Sequence, residues 1–445
     1  MGNLLVHTKF GFPASTGSTY NACSGRRPPI LETRLTHPIP TRGRLAAALL
    51  AFALSGTLHA ASPAPDTIKV GNYQVQVATL GSGAYTVILE SGFGRDLGVW
   101  RNVAPALAKS AKVLAYSRAG HGKSDARPEA PTIAARTDEL EQLIASAGLK
   151  PPFVLVGHSY GGFLIRSFAV RHPEQVAGMV FVDPSDEGFN LELRKLDAAA
   201  VDKDNKLTEQ FMPPTFHAEL RSVQAVLDSG KLPFAGALPD VPVAVLTSVQ
   251  KREQPQLFLE TPAAVQIWRG LHERFFRSFS NGSHVVTSES GHNIHQEQPQ
   301  LVIDAVEGVI AAAESARIKR VREAARAELL RRLEQGGTDA EMAQALEASA
   351  FNEADLNRLG YELLGPRKQA VLAERLMKAN ASKHSLSDNV QDSYGEVLLA
   401  TGKALEAKLQ FMRAITLAEA QGKGDKVLAG YRANLAKAEG ALGAR

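Results

Sequence analysis

Phe153-Val154-Leu155-Val156 is a short apolar run with no polar face, and Gly157-His158-Ser159-Tyr160-Gly161-Gly162 follows it directly. Phe163-Leu164-Ile165 then opens an amphipathic stretch reaching Arg171. The pattern predicts a buried strand, a sharp turn and a helix, in that order. A serine on such a turn is held in a strained backbone conformation, which only small neighbours permit; Gly157 and Gly161 supply the room. Its hydroxyl then projects from a sheet edge, beside the free N–H groups and positive dipole of a helix start, where a developing oxyanion is stabilised. A bare G-x-S-x-G is weak evidence of a nucleophile. Between a buried strand and a helix it is specific.

The same rhythm extends outward. Tyr73–Leu80 alternates with period two, as an antiparallel strand with one wet face does. Tyr85–Leu89, Lys112–Tyr116, Gly178–Val182 and Val241–Leu246 are dry on both faces, and amphipathic stretches run over 99–109, 133–147 and 160–171. Strands buried on both faces alternating with helices predict a doubly wound, mostly parallel α/β sheet whose active site lies at the carboxyl ends of its strands. Residues 186–240 break the rhythm with charge and then Met212-Pro213-Pro214, and are expected to form a helical lid.

Composition narrows the class. The chain has 445 residues, of which 22% are charged and 44% hydrophobic, which excludes collagen-like, wholly disordered and multi-span membrane proteins. The net charge of +4 is concentrated at one end: residues 1–61 carry six cations against Glu32, and without them the charge is −1. A basic nucleic-acid-binding surface therefore loses its support, and no nucleic-acid partner is expected. Cys23 is the single cysteine, so nothing after residue 61 can form a disulfide, a cysteine–metal site or a thiol nucleophile. Arg42 and Arg44 precede ten apolar residues, Leu45–Leu54, followed by small residues and Ser62-Pro63-Ala64-Pro65. That length suits a signal-peptide core, whereas a membrane span needs about 20 residues. Residues 1–61 are expected to be an unstructured leader and signal peptide, leaving a periplasmic or secreted protein with no stable membrane span.

Four phrases in order resemble the α/β-hydrolase superfamily, in particular its small bacterial esterase-like members, over residues 66–310. Leu89-Glu-Ser-Gly-Phe-Gly94 stands where that family has its oxyanion loop, with Ser91-Gly92 where many relatives have His-Gly. Tyr116-Ser-Arg-Ala-Gly-His-Gly-Lys-Ser124 is similar to the loop after the family's fourth strand, with Ser117 replacing Asp; Val182-Asp-Pro-Ser185 and Ser290-Gly-His-Asn-Ile-His295 complete the set. The resemblance implies a Ser–His–Asp arrangement. Serine needs a base to take its proton; His292, in the family's Gly-His position, is that base, with His295 as its rival. The acid that steadies the imidazole is Asp183 at the end of the sixth strand, or Glu253 after the seventh, with Asp186 and Glu187 also weighed. The backbone N–H groups of Phe93 and Tyr160 are expected to receive the oxyanion. Histidines do not cluster at zinc spacing and Gly92-Phe-Gly94 lacks a phosphate-loop Lys-Ser/Thr, so no metal or cofactor is expected. Phe93, Trp100, Phe181, Met212, Phe216 and Trp268 are candidates for lining an apolar pocket for an uncharged ester or related acyl substrate.

The carboxyl-terminal third differs. Residues 62–315 are read as the hydrolase-like domain, 316–335 as a connecting helix and 336–445 as an all-α repeat-like domain. Leu359–Leu364 aligns with Tyr394–Leu399 at an offset of 35, and Ala373 and Met377 align with Ala407 and Phe411 at 34. The second copy resembles a tetratricopeptide repeat. Two functions from different classes follow: an exported serine hydrolase acting through an acyl-enzyme, its repeats docking a protein partner or a second copy, or a non-catalytic scaffold that binds a partner through the repeats.

Overall fold

Alternation along single strands divides the core of the amino-terminal part into two layers. In the computed structural model, which describes residues 5–8, 66–336, 338–349 and 351–444, Phe153 and Leu155 enter one apolar cluster with Ile165, Phe168 and Phe181. Val154 and Val156 enter another with Trp100, Leu107, Val302 and Val306. All four strand residues are fully buried, each contributing about 1.5–3 kcal/mol relative to exposure. Helices therefore cover both faces, as the unbroken apolar runs require.

The strands are β1 (Leu5–Thr8), β2 (Asp66–Val70), β3 (Tyr73–Leu80), β4 (Thr86–Glu90), β5 (Lys112–Tyr116), β6 (Phe153–His158), β7 (Val176–Val182), β8 (Val243–Ser248) and β9 (Gly282–Thr287). They form one sheet in the order β1-β9-β8-β7-β6-β4-β5-β3-β2. β4 to β9 run parallel, and β1, β2 and β3 pair antiparallel at the two ends. Register brings the carboxyl ends of the central strands level: Glu90 lies opposite Gly157, His158 opposite Val182, and Ser248 opposite Thr287. Between β7 and β8 a cap intervenes. Its first helix, Phe189–Phe211, is broken at Asp197 (φ −157°, ψ 99°), whose carboxylate accepts from the Ala200 N–H at 2.9 Å and so caps the second segment. Pro214–Phe216 and His217–Ser229 complete the cap.

Two expectations need correction. The stretch 99–109 is not one helix but two short pieces, Leu97–Trp100 and Ala104–Leu107, because Pro105 can sit only in the first turn of a helix. Leu5–Thr8, expected within an unstructured leader, pairs with β9 and occupies an edge whose N–H and C=O groups would otherwise lack partners. The apolar run Leu45–Leu54 lies outside the described residues. Among the described residues no helix is long and apolar enough to cross a membrane.

The chain divides into two units, Met1–Ala313 and Glu314–Arg445, and the division falls inside the helix Pro299–Gln335. The second unit holds the helices Asp339–Ala348, Glu353–Leu364, Ala370–Lys383, Asp388–Ala400, Ala404–Ala420 and Asp425–Gly443. The echo in the sequence is an echo in packing. A Cβ on Gly360 would lie 2.5 Å from Met377 Cε, and one on Gly395 would lie 2.6 Å from the Phe411 ring. Each hairpin thus seats a large side chain on a glycine of the preceding helix.

Phe411 is fully buried and has nowhere to retreat, so Gly395→Ala should destabilise the second unit by about 1–3 kcal/mol through overpacking. Gly440→Ala, whose new methyl would meet nothing within 4 Å, should instead stabilise its helix by up to about 1 kcal/mol. Urea unfolding of the full chain followed by circular dichroism separates the two; shifts of the same sign would refute the packing argument.

Candidate active site

The turn after β6 has the predicted strain. Among the described residues three non-glycine positions have positive φ, and two of them are Ser159 (52°) and Asp183 (44°); such outliers concentrate where function demands them. The Ser159 N–H donates to Val182 O at 3.1 Å, while its carbonyl accepts from Gly162 N at 2.8 Å and Ser185 N at 3.0 Å. A Cβ on Gly157 would lie 2.7 Å from Gly161 O, and one on Gly161 would lie 2.6 Å from Glu90 O. The helix Gly161–Arg171 starts immediately after Tyr160.

Asp183 leaves β7 with its N–H on Leu246 O at 2.8 Å. Its buried carboxylate receives three donors: His292 Nδ1 at 2.7 Å on Oδ2, and on Oδ1 Ser248 N at 2.9 Å and Trp268 Nε1 at 2.8 Å. His292 is exposed on the loop between β9 and the helix Ile294–Glu297. Three bonds anchor that loop: Ser248 Oγ to Ser290 O at 2.7 Å, Gly291 N to Glu297 Oε2 at 2.8 Å, and His158 Nε2 to His292 O at 2.9 Å. With Nδ1 engaged by a carboxylate, Nε2 is the nitrogen left to accept a proton.

The rivals are engaged elsewhere. Glu253 is exposed on the loop after β8, Asp186 accepts from Gly188 N at 2.8 Å, and Glu187 holds Arg166 through both oxygens at 2.7 and 3.0 Å. His295 is fully buried between Trp100 and His158, at ring distances of 4.7 and 4.3 Å. Burial first, and the neighbouring His292 and Arg95 next, push it down to about 3, a poor value for a base at neutral pH.

The loop after β4 lies against the turn that carries Ser159: a Cβ on Gly92 would sit 2.6 Å from His158 Nδ1 and 3.4 Å from Ser159 Cβ. The two departures from the family's usual phrases have local roles here. Ser91 Oγ accepts from Trp100 Nε1 at 3.0 Å and donates to Asp96 O at 3.2 Å, and Ser117 Oγ accepts from Leu97 N at 3.1 Å. The ring of Phe93 meets Tyr160 at 6.5 Å and Phe216 of the cap at 6.3 Å. Phe93, Met212, Phe216 and Trp268 are half-buried, as pocket walls would be, but Trp100 and Phe181 are fully buried core residues and line no pocket. Among the described residues no group of three His, Cys, Asp or Glu side chains is placed to hold a metal.

Sequence reading passed over a buried ionic network beneath the cap. Glu90 pairs with Arg118 Nη1 at 2.6 Å and accepts from the Tyr116 hydroxyl. Glu219, from the cap helix His217–Ser229, meets Arg136 Nε at 3.1 Å, His121 Nε2 at 3.1 Å and Arg118 Nε at 3.6 Å. Arg118 and His121 belong to the quoted phrase 116–124 and could have been flagged as buried charges seeking partners. Glu219 has no local signal at all.

A sheet of this order, with a strained serine at the end of a central strand and a carboxylate–imidazole pair on the next loops, defines the class of α/β hydrolases. Residues 85–215 match the family model described as the alpha/beta hydrolase fold, the fold that the sheet of the amino-terminal unit displays. A protein of Bacillus subtilis (strain 168), YqjL, described as uncharacterised, is 27% identical over 233 residues, 52% of this chain and 86% of its own length. An AB hydrolase superfamily protein of Gibberella zeae is 28% identical over 198 residues, 41% of this chain and 62% of its own. Among solved structures, a thermophilic esterase from Thermogutta terrifontis is 19% identical with a TM-score of 0.39, covering 56% of this chain and 98% of that one.

The cap's ionic anchor predicts acid sensitivity. Burial pushes the Glu219 carboxyl up, but Arg118, the bond from His121 and Arg136 outweigh it and hold the group down at about 2. A depressed folded-state value contributes stability that is present above the ordinary value near 4.5 and is lost as pH falls toward 2. Glu219→Gln should cost about 3 kcal/mol at pH 7 by leaving two buried guanidinium groups short of a counter-charge, and should flatten the loss between pH 4.5 and 2. Thermal melts across that range measure both; an unchanged acid limb in the variant would count against the anchor.

Proposed function

We propose that this protein is a serine hydrolase that cleaves an ester or related acyl compound through an acyl-enzyme. The observation that carries the reading is the bond between His292 Nδ1 and Asp183 Oδ2 at 2.7 Å, on the same sheet edge as the strained Ser159. Ser159 Oγ attacks the acyl carbon while His292 Nε2 takes its proton. Asp183 fixes the tautomer and steadies the imidazolium. The acyl oxygen, now negative, is received by the N–H groups of Phe93 and Tyr160, whose loop and helix start flank the serine. The imidazolium returns the proton to the leaving alcohol, whose bond to the acyl carbon breaks. Water, activated by the same imidazole, then releases the acid and restores the Ser159 hydroxyl. Phe93, Phe216, Met212 and Trp268 favour an uncharged, largely apolar acyl substrate.

Arg42, Arg44 and the apolar run Leu45–Leu54 favour export, with action in the periplasm or outside the cell; cleavage after that run would take β1 from its edge beside β9. The equivalent seats of Met377 on Gly360 and Phe411 on Gly395 favour reading the second unit as tetratricopeptide-like, a module for docking a protein partner or a second copy of the chain.

A fluorophosphonate probe should label the purified protein but not Ser159→Ala, and hydrolysis of p-nitrophenyl esters should disappear with the label. Lack of labelling in the unaltered protein would favour the scaffold reading instead. Asp183→Asn should keep the fold and lower kcat by about 10⁴-fold, as loss of the acid does in serine proteases. Phe93→Ala should cost far less than the roughly hundredfold to thousandfold loss of deleting an oxyanion donor, because the donor there is main chain. Abolished turnover in a folded Phe93→Ala variant with unaltered substrate affinity would remove Phe93 N–H from the scheme.

A further inference from the structure

Arg118 is almost wholly buried, and its guanidinium grips the loop after β4 by main-chain atoms. Nη1 donates to Ser91 O at 2.7 Å and Nη2 donates to Gly92 O at 2.7 Å, while Nη1 also pairs with Glu90 at 2.6 Å. The second of these carbonyls matters most. Gly92 C=O and Phe93 N–H belong to one planar trans peptide, so they point in opposite directions. Fixing the carbonyl on Arg118 therefore fixes the direction of the N–H. A cation on the carbonyl end also polarises the peptide and makes its N–H a better donor. The guanidinium carbon lies 5.3 Å from the centre of the Tyr160 ring, so the same group touches the residue bearing the other expected donor.

We propose that Arg118 is the positioning residue of the oxyanion site: its fork holds the 91–92 carbonyls so that the Phe93 N–H is aimed at the acyl oxygen before substrate arrives. This rests on the serine-hydrolase reading above. A lysine ammonium would match the charge of Glu90 but has no rigid plane to span two successive carbonyls, and the turn bond from Arg95 N–H to Gly92 O at 3.3 Å holds only the second of them. The tie from Arg118 Nε to Glu219, 3.6 Å away on the cap, links that aim to the seated cap. The burial cost of the guanidinium is met by Glu219 and Glu90, which keep it charged despite desolvation.

The test compares the full-length protein with Arg118→Lys and with the charge-free pair Arg118→Met/Glu90→Gln, each checked for fold by near-ultraviolet circular dichroism. Hydrolysis of p-nitrophenyl butyrate and inhibition by an alkyl trifluoromethyl ketone, which adds to serine and forms an oxyanion, are measured on all three. Arg118→Lys should lower kcat about tenfold to a hundredfold, short of deleting a donor outright, with KM within about threefold of the unaltered protein. The inhibition constant of the ketone should rise by the same factor as kcat/KM falls, since both report the oxyanion. The paired variant should behave alike, separating aim from charge burial. A folded variant with kcat and ketone affinity within about twofold of the unaltered protein would overturn the proposal. So would a rise confined to KM, or loss of fold in both variants, which would assign Arg118 to stability alone. Absence of Ser159-dependent turnover in the unaltered protein would instead sink the hydrolase reading on which the proposal stands.

Discussion

The close approach of three backbone segments at the end of the central strands governs everything near Ser159. The end of β4, the turn after β6 and the first turn of the following helix meet with so little room that a methyl group on Gly161 would lie 2.6 Å from the carbonyl of Glu90. A loose turn would let the serine relax out of its left-handed conformation. A crowded one lets the Val182 and Ser185 main chain hold it there, so the strain is stored by packing on every side. The apolar runs of β6, fully buried in both layers, are what make that crowding affordable.

Charge is arranged around this point in two separate sets. On one side Asp183 is satisfied by three donors, so its carboxylate stays fixed while it orients His292. On the other, Glu90, Glu139 and Glu219 pair with Arg118 and Arg136 under the cap, Glu139 meeting Arg136 Nη1 at 3.0 Å. In a low-dielectric interior an unmatched member of either set would be costly, and a matched set gives rigidity more than net stability. The first set addresses the imidazole, and the second addresses the loop after β4. Glu219 makes the cap a participant in the second, because its helix contributes the carboxylate that Arg118, Arg136 and His121 surround.

The second unit is held by a different device. Its helices pair where glycine admits a bulky neighbour, and the seats of Met377 and Phe411 are related by nearly the same offset in sequence. Buried neutral polar groups add to this: Asn380 Nδ2 donates to Asn357 Oδ1 at 2.8 Å and Asn357 Nδ2 to Ser393 Oγ at 3.0 Å, linking three successive helices.

Much of the first unit could be read directly from the chain. Period-two alternation against unbroken apolar runs separated β3 from the central parallel strands, because side-chain direction along a strand is a local property. Ser159 and its two glycines were visible for the same reason, a tight turn demanding particular residues in sequence, whereas Gly291-His292 was legible through its likeness to the family's phrase after the last strand. Two local misreadings had physical causes, Pro105 dividing the helix expected over 99–109 and β9 offering an edge to Leu5–Thr8. The choice of acid was of another kind. Asp183, Glu253, Asp186 and Glu187 are equally capable carboxyls, and only the packing of β7, β8 and Trp268 directs three donors, one of them His292, to Asp183. The pairing of Arg118 with Glu219, 101 positions apart, was beyond any pattern in the sequence. Local periodicity and turn chemistry thus determined the sheet, the elbow and the serine, whereas partner selection among like charges was decided by the tertiary structure, since electrostatic and hydrogen-bond energies depend on distances that no run of residues contains.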